Sequence, residues 1–157
     1  MAVIEAQPMT VRMEGDFVVF LIGMRINRFR SLRRWWPVFT AMPRMIKELE
    51  ADPSLGLLHA RFHPGIRNFV LVQYWRSLEH LQRFAHAREH EHQTAWNAFY
   101  KAGGNDGAVG IWHETYVVRA GDYECIYAGM PAYGLGLAGT RVPAEGRLRS
   151  AKGRLGA

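Results

Sequence analysis

The sequence has almost no cysteine and no long hydrophobic run. Cys125 is the only cysteine among 157 residues, so an intrachain disulfide is excluded and a reducing compartment is expected. The longest apolar stretch, Phe17 to Met24, is far shorter than the ~20 residues that a membrane-spanning helix needs. Residues 1–16 carry acidic side chains and no apolar core, which argues against a signal peptide. We therefore expect a cytoplasmic protein with no membrane partner.

Signatures of nucleotide binding and of serine hydrolysis are missing as well. The chain has no Walker phosphate loop, no G-x-G-x-x-G before a helix and no G-x-S-x-G nucleophile elbow. His86 and His90 are four residues apart, as metal-ligating histidines on one helical face can be, but no third ligand stands at a recognisable spacing. We therefore interpret them as exposed helical histidines and expect no metal site.

Positive charge is in excess, and most of the excess is local. The net charge is +6, and residues 141–157 hold five bases and one acid. This Gly-, Ala- and Arg-rich segment is typical of a flexible tail that folding does not need. The arginines beside Trp35 and Trp36 are interpreted as a solvated helix entrance with their stems packed along aromatic rings. No nucleic-acid partner is expected.

Residue patterns within 1–140 predict one domain with four strands and two helices. The β-branched and aromatic segments that predict strands are 17–27, 55–63, 69–76 and 109–118. The first helix is expected to be interrupted, because Pro37 and Pro43 should each lie in the first turn of a helical segment. Ser77 is a good N-cap for the second helix. The order β-α-β-β-α-β is that of the ferredoxin-like fold, in the α+β class.

The first strand is apolar on both of its faces. Val19 and Leu21 alternate with Phe20 and Ile22, although the helices of a ferredoxin-like domain cover only one side of the sheet. A second copy of the sheet could cover the other side, which predicts a homodimer. The alternative cover is the C-terminal arm, residues 122–140. Its large apolar residues, glycines and proline predict an ordered, extended arm with turns.

Several sequence blocks resemble one family, in the expected order along the chain. They are GMRINR at 23–28, WWPVF at 35–39, AMPRM at 41–45, VQYWRS at 72–77 and GIWHETY at 110–116. The chain is thereby identified as a member of the monooxygenase-like family, once a domain of unknown function, with a fungal relative in fumagillin biosynthesis. HQTAWNAFY departs from the family pattern, in which a proline usually precedes the alanine and tryptophan.

The resemblance implies a dimeric α+β barrel and a role in secondary metabolism. The expected function is a small monooxygenase-like enzyme that needs no cofactor. Its substrate would be a hydrophobic, conjugated metabolite (polyketide, terpenoid or aromatic) bound between sheet and helices. Such an enzyme needs a dry pocket, a base, and donors that hold a developing oxyanion.

Ionisable residues in strands that should be buried are the candidate catalytic groups. His92 or His113 would be the base, and Arg25 with Asn27 or Trp75 would be the donors. Glu114 is a further candidate, although structural hydrogen bonds or an ion pair with Arg25 would equally explain Glu114 and His113. The residues expected to bind the substrate are Trp75, Trp96, Trp112, Tyr116, Tyr127 and Met130.

Two other functions remain open. Haem enzymes such as aldoxime dehydratases and dye-decolourising peroxidases occur in the same superfamily, so the resemblance allows a haem b with His90, His92 or His113 as its axial ligand. No C-x-x-C-H attachment motif is present. The third hypothesis is a hydrophobic ligand-binding protein without catalysis, which would leave both His113 and Glu114 at the surface.

Overall fold

The computed structural model describes residues 3–86, 100 and 106–156. Its main sheet has four antiparallel strands, and it packs against two helices. In chain order these elements are β2 (Phe17–Ile26), α1 (Leu32–Ala51), β3 (Leu57–His63), β4 (Asn68–Trp75), α2 (Leu78–His86) and β5 (Val109–Val118). The strand order β3-β4-β2-β5 places the first and third strands of the β-α-β-β-α-β unit at the centre. The predicted ferredoxin-like α+β fold is confirmed.

A small second sheet lies outside this unit. Strand β1 (Met9–Arg12) pairs antiparallel with β6 (Thr140–Pro143), and a short helix α3 (Ala151–Arg154) follows. Neither β1 nor β6 was expected from the sequence. Both strands are only four residues long, too short for their alternation to stand out.

Helix α1 is continuous, which corrects the prediction that prolines interrupt it. Pro37 and Pro43 both lie inside the helix. Each removes a backbone hydrogen bond. Four buried residues at helical spacing, Val38, Met42, Met45 and Leu49, pack this helix against the sheet. Tertiary packing of an amphipathic face supplies most of a helix's stability, so it outweighs the two lost hydrogen bonds.

Strand register decides which side chains face the helices. Even-numbered residues of β2 lie in the main core, where Val18, Ile22 and Met24 are almost fully buried. Phe20 lies directly opposite Gln73 of β4 and Thr115 of β5, and residues opposite one another across an antiparallel ladder share a face. Gln73 and Thr115 therefore also point toward the helices, and odd-numbered residues of β2 point to the second face of the sheet.

The C-terminal arm covers one end of the second face. Phe17 of β2 forms a separate buried cluster with Val11 and Leu135, and Tyr123 and Tyr127 of the arm pack against it. The arm is extended with turns, as predicted, and its Gly134–Leu137 segment forms a 3-10 turn. The arm, which the sequence suggested as an alternative cover for this face, thus covers part of it. Trp112 and Tyr116 of β5 remain exposed on the rest.

The prediction of a flexible tail at 141–157 is wrong. Ala144 and Leu148 are buried, and Thr140–Pro143 is held in the β1–β6 sheet. Arg154 Nε lies 2.8 Å from Glu124 Oε2 in the arm. Its guanidinium also donates to the backbone oxygens of Leu148 and Arg149. Arg154, one of the bases that make the tail look solvated, is therefore part of its attachment.

Among the helices in the described ranges, none is both long and apolar enough to cross a bilayer.

Candidate functional site

A groove of about 420 Å³ lies between α2 and the helix-facing side of the sheet. The residues that line it from β2, α2 and β5 include Phe20, Ile22, Leu78, Leu81, His113 and Val117. Helix α2 is anchored beside the sheet by Ser77, whose hydroxyl accepts the backbone N–H of His80 at 3.3 Å, as the N-cap prediction requires. The result is a predominantly apolar groove whose position follows from a short β4–α2 connection.

His113 is the one ionisable side chain among the described residues that line this groove. Its ring centroid lies 5.7 Å from that of Phe20, at a tilt of 40°. The side chain is exposed in the single chain. It is therefore accessible both to a ligand in the groove and to water, as a group that exchanges protons with solvent must be.

A smaller pocket of about 20 Å³ adjoins the groove and reaches into the core. Gln73 and Trp75 of β4 line it, and they are 1% and 0% exposed. The Trp75 indole N–H donates a hydrogen bond of 2.7 Å to Gln73 Oε1. Phe20, Leu81 and Ala85 line both the pocket and the groove, so these three side chains form the boundary between them.

Arg25 lies near the end of β2 and Asn27 directly after it, and neither residue lines the groove. Arg25 Nε donates to Asn27 Oδ1 at 3.0 Å, and its NH1 donates to Asn68 Oδ1 at 2.9 Å. Asn27 Nδ2 in turn donates to the backbone oxygen of Gly107 at 3.1 Å. This exposed network fixes the guanidinium on the second face, where Arg25 is opposite Asn68.

Three other predicted site residues also lie on the second face. Trp112, Glu114 and Tyr116 alternate along β5, and the Tyr116 hydroxyl donates to Glu114 Oε2 at 2.6 Å. This hydrogen bond and the charge of Glu114 raise the pKa of Tyr116 above its usual value. Glu114 is therefore bonded to a neighbour on its own strand rather than to Arg25.

The arm residues proposed to bind substrate are separated from the groove by the sheet. Tyr127 packs in the second-face cluster, its hydroxyl accepts the Gly136 N–H at 3.2 Å, and burial raises its pKa to about 12. Met130 is partly exposed in the same arm. The arm thus contributes no residue to the groove among those described, and its expected contact with substrate stays a prediction.

Of the residues proposed from the sequence, His113 and Trp75 lie in adjoining cavities. His113 lines the groove, and Trp75 lines the small pocket. His90, His92 and Trp96 lie outside the described residues. Gln73 was missed, although its signal was readable: Leu71, Gln73 and Trp75 alternate on the strand face that the helices cover, and a polar residue in that series is unusual. A buried polar side chain is more informative about function than an exposed one, because polar side chains at the surface need no special explanation.

A haem fits the described residues poorly. His113 could serve as an axial ligand, and the apolar walls suit a porphyrin. However, none of the described groove residues is a lysine or arginine that could pair with the propionates. No group of three or more potential ligands for a metal ion occurs within the described ranges, which does not bear on haem, because a haem iron needs only one axial histidine.

Sequence comparison assigns the family. The family described as monooxygenase af470-like matches residues 17–135, from the start of β2 into the arm. The chain belongs to this family. A curated member, monooxygenase af470 of Aspergillus fumigatus, is 31% identical over 124 residues, which cover 73% of this chain and 43% of that protein. The resemblance inferred from the sequence blocks is confirmed, and the chain spans less than half the length of this af470 relative.

Structural comparison supports the fold of this af470-like chain. A crystal structure of aldoxime dehydratase (OxdRE) with butyraldoxime aligns with 85% of the chain and 39% of its own, at a TM-score of 0.69 and 17% identity. An identity this low bears on the fold alone. The cofactor-independent oxygenase SnoaB from Streptomyces nogalater aligns with 66% of the chain and 94% of its own, at 11% identity and a TM-score of 0.47. That match is too distant to bear on function.

Proposed function

We propose that this protein is a small oxygenase that acts on a hydrophobic, conjugated metabolite bound in the groove between α2 and the sheet. The observation that carries the proposal is the groove itself, in which His113 stands beside Phe20 on apolar walls. Family membership adds support, since the matched family is described as monooxygenase-like. The substrate class rests on the lining: flat, apolar ligands suit such walls, and few polar groups fix their orientation.

The chemistry we propose needs only a base, dioxygen and an electron-rich substrate. A phenolic substrate transfers its O–H proton to the imidazole of His113, and the electron pair delocalises to a ring-conjugated carbon. That carbon bonds to dioxygen, which is reduced to a hydroperoxide, and the imidazolium returns the proton. Loss of water from the CH–OOH group leaves a ketone, and the phenol carbon becomes the second carbonyl of a quinone, so the net change is HO–C…C–H + O₂ → O=C…C=O + H₂O. His92 remains the other candidate base.

Oxygen uptake on a panel of polycyclic phenols, without added cofactor, tests this proposal. His113→Ala and His92→Ala are compared with His63→Ala, whose side chain lies on the second face beside Tyr133 and away from the groove. We expect uptake to fall by roughly 10²–10⁴-fold in at least one of the first two variants, the range for loss of a general base. Unchanged turnover in both would contradict the base role.

A ligand-binding protein without catalysis is the second candidate. His113 and Glu114 are both exposed in the single chain, which is the arrangement that this hypothesis predicts. Tight binding of aromatic probes without any oxygen uptake would favour it over the oxygenase.

A haem enzyme is tested separately. Protein purified from haem-supplemented cells would show a strong violet absorption band, and His113→Ala would remove that band if His113 is the axial ligand.

We also propose that two copies of the chain pair through the uncovered part of the second face. Trp112 and Tyr116 are exposed there, next to the half-buried Leu21, Val70 and Val72 of the neighbouring strands. The arm leaves this aromatic area open, and a contiguous exposed apolar area on a soluble domain commonly marks an interface. A second copy of the same face is the simplest partner, because it needs no other protein.

A further inference from the structure

Gln73 is a buried amide with half of its hydrogen-bonding capacity unused. Its Oε1 accepts the Trp75 indole N–H, but its Nε2 donates no hydrogen bond to any residue in the described part of the chain. Only 1% of Gln73 is exposed. Nε2 is nevertheless not among the fully buried side-chain atoms without a partner, which in the described part of the chain are represented by His59 Nε2. The unpaired amide nitrogen is therefore open to a ligand atom in the pocket that Gln73 lines.

Trp75 fixes the direction in which the free half of the amide points. An indole N–H can only donate, so it must face the amide oxygen and not the nitrogen. The Gln73 side chain cannot exchange the two ends without breaking the 2.7 Å bond to Trp75. Nε2 is therefore the end of the amide that remains available to the 20 Å³ pocket that Gln73 lines.

The pocket has room for one small group. A volume of about 10–15 Å³ accommodates a single water molecule, so a space of about 20 Å³ fits one oxygen atom but no ring. A trapped water needs about two to four polar partners. Of the described residues that line the pocket, Gln73 offers the amide and Trp75 an indole N–H that is already used. An oxygen that is covalently part of a ligand needs fewer partners.

We propose that Gln73 binds an acceptor oxygen, that of a carbonyl group, at the inner end of a flat aromatic ligand. The rings occupy the groove, and the oxygen extends past Phe20 into the small pocket. Phe20 lines both cavities and is only half-buried, so rotation of its ring would open the passage. The described residues that line the pocket carry no charge, so an uncharged amide donor and an uncharged carbonyl acceptor suit it. This inference rests on the proposed function, because it requires that the groove binds a ligand.

Two probes that differ by one atom test the inference in the full chain. They are 2-acetylnaphthalene and its hydrocarbon isostere 2-isopropenylnaphthalene, each measured by equilibrium dialysis. A net hydrogen bond of ~1 kcal/mol predicts that the ketone binds roughly fivefold more tightly. In Gln73→Met this preference should disappear while the hydrocarbon binds as before. Gln7→Met is the matched control, because Gln7 is exposed and lines neither the groove nor the pocket. It should keep the preference.

The carbonyl stretch of ¹³C-labelled ketone gives an independent readout that needs no variant. Bound to the natural protein, it should shift to lower wavenumber, as a carbonyl does when it accepts a hydrogen bond. The shift should be absent in Gln73→Met. If the hydrocarbon binds as tightly as the ketone and the stretch is that of a free carbonyl, the role of Gln73 is refuted while the groove stands. If neither probe binds, the proposed function fails, and the inference fails with it.

Discussion

Gly23 on β2 shows how one residue permits close packing on the second face. A Cβ at this position would lie 2.6 Å from Trp112 Nε1 and Cε2, and 2.7 Å from the backbone oxygen of Phe69. The indole ring could move aside, but the Phe69 carbonyl belongs to the neighbouring strand and could move only by distorting the sheet. Gly23 therefore lets Trp112 of the edge strand lie flat against the centre of the sheet.

We expect Gly23→Ala to lower the free energy of unfolding by about 1–3 kcal/mol, as overpacking usually does. Thermal melting monitored by circular dichroism measures the effect, and tryptophan fluorescence reports displacement of Trp112. Gly110→Ala is the matched control, since a Cβ there would meet only Asn27 Nδ2 at 3.8 Å and Arg25 Cβ at 4.0 Å. Equal losses in the two variants would show that the loss comes from the sheet environment rather than from the Trp112 contact.

Tyr127 makes the arm sensitive to alkaline pH. Burial, and secondarily Cys125, raises the pKa of Tyr127 to about 12, against about 10 in an unfolded chain. Its contribution is fully present below pH 10 and is lost as the pH rises toward 12, because only the unfolded state then releases the proton. We expect the free energy of unfolding to fall by about 1 kcal/mol over this range, after allowance for the partly hydrated ring.

Urea unfolding at pH 9, 10 and 11 measures this dependence. Tyr127→Phe should flatten the slope, because phenylalanine has no proton to lose. Tyr100→Phe serves as the control, since Tyr100 is exposed. A slope that is identical in the natural protein and in Tyr127→Phe would assign the alkaline loss to other groups, such as Tyr74, whose pKa is also raised by burial.

The C-terminal segment is the element whose structure differs most from its sequence-based prediction. Truncation after Gly139 removes β6, leaves β1 paired only through Met9 and Tyr127 among the described residues, and deletes the buried side chain of Leu148. Burial of a leucine contributes about 1.5–3 kcal/mol, and the lost strand pairing adds to this. We expect Tm to fall by roughly 6–12 °C, at about 2–4 °C per kcal/mol for a chain of this size.

Two point variants distinguish the stability that comes from the contacts of this segment from the effect of its positive charge. Arg154→Met removes the ion pair with Glu124 and the two hydrogen bonds to backbone oxygens, and the Arg154 side chain is only 8% exposed. Lys152→Met removes the same charge from an exposed position in the same short helix. We expect a loss of about 1–3 kcal/mol for the first variant and almost none for the second. Similar stabilities would mean that α3 contributes little to the fold.

Pairing of two copies is the prediction for the whole molecule. Tyr116→Asp places a charge beside Glu114 on the uncovered second face, where like charges and desolvation oppose association. Sedimentation equilibrium at micromolar concentrations should show a dimer for the natural protein and a monomer for the variant. Ile66→Asp is the control, because Ile66 is 86% exposed in the β3–β4 turn and away from this face. A natural protein that is monomeric throughout this range would contradict the proposed dimer.

Much of the fold was determined by local sequence. Alternation and turn chemistry placed four strands within about two residues of their observed positions, and Ser77 marked the start of α2, because alternation and a helix cap act over a few residues. The family was also readable from short blocks. The pairing of β1 with β6 could not be predicted from short blocks, since it joins residues more than 120 positions apart. Neither strand has a pattern of its own.

The candidate site was decided by tertiary structure. His113, Glu114 and Trp112 are neighbours in sequence, yet strand alternation sends His113 to the groove and the other two to the second face. Alternation alone predicts that separation but not which face the helices cover or where the arm lies. The role proposed for Gln73 depends on its burial beside Trp75 and Phe20. Phe20 stands opposite Gln73 only because β2 and β4 pair in the folded protein. The sequence supplies the candidate groups, and packing determines which of them meet.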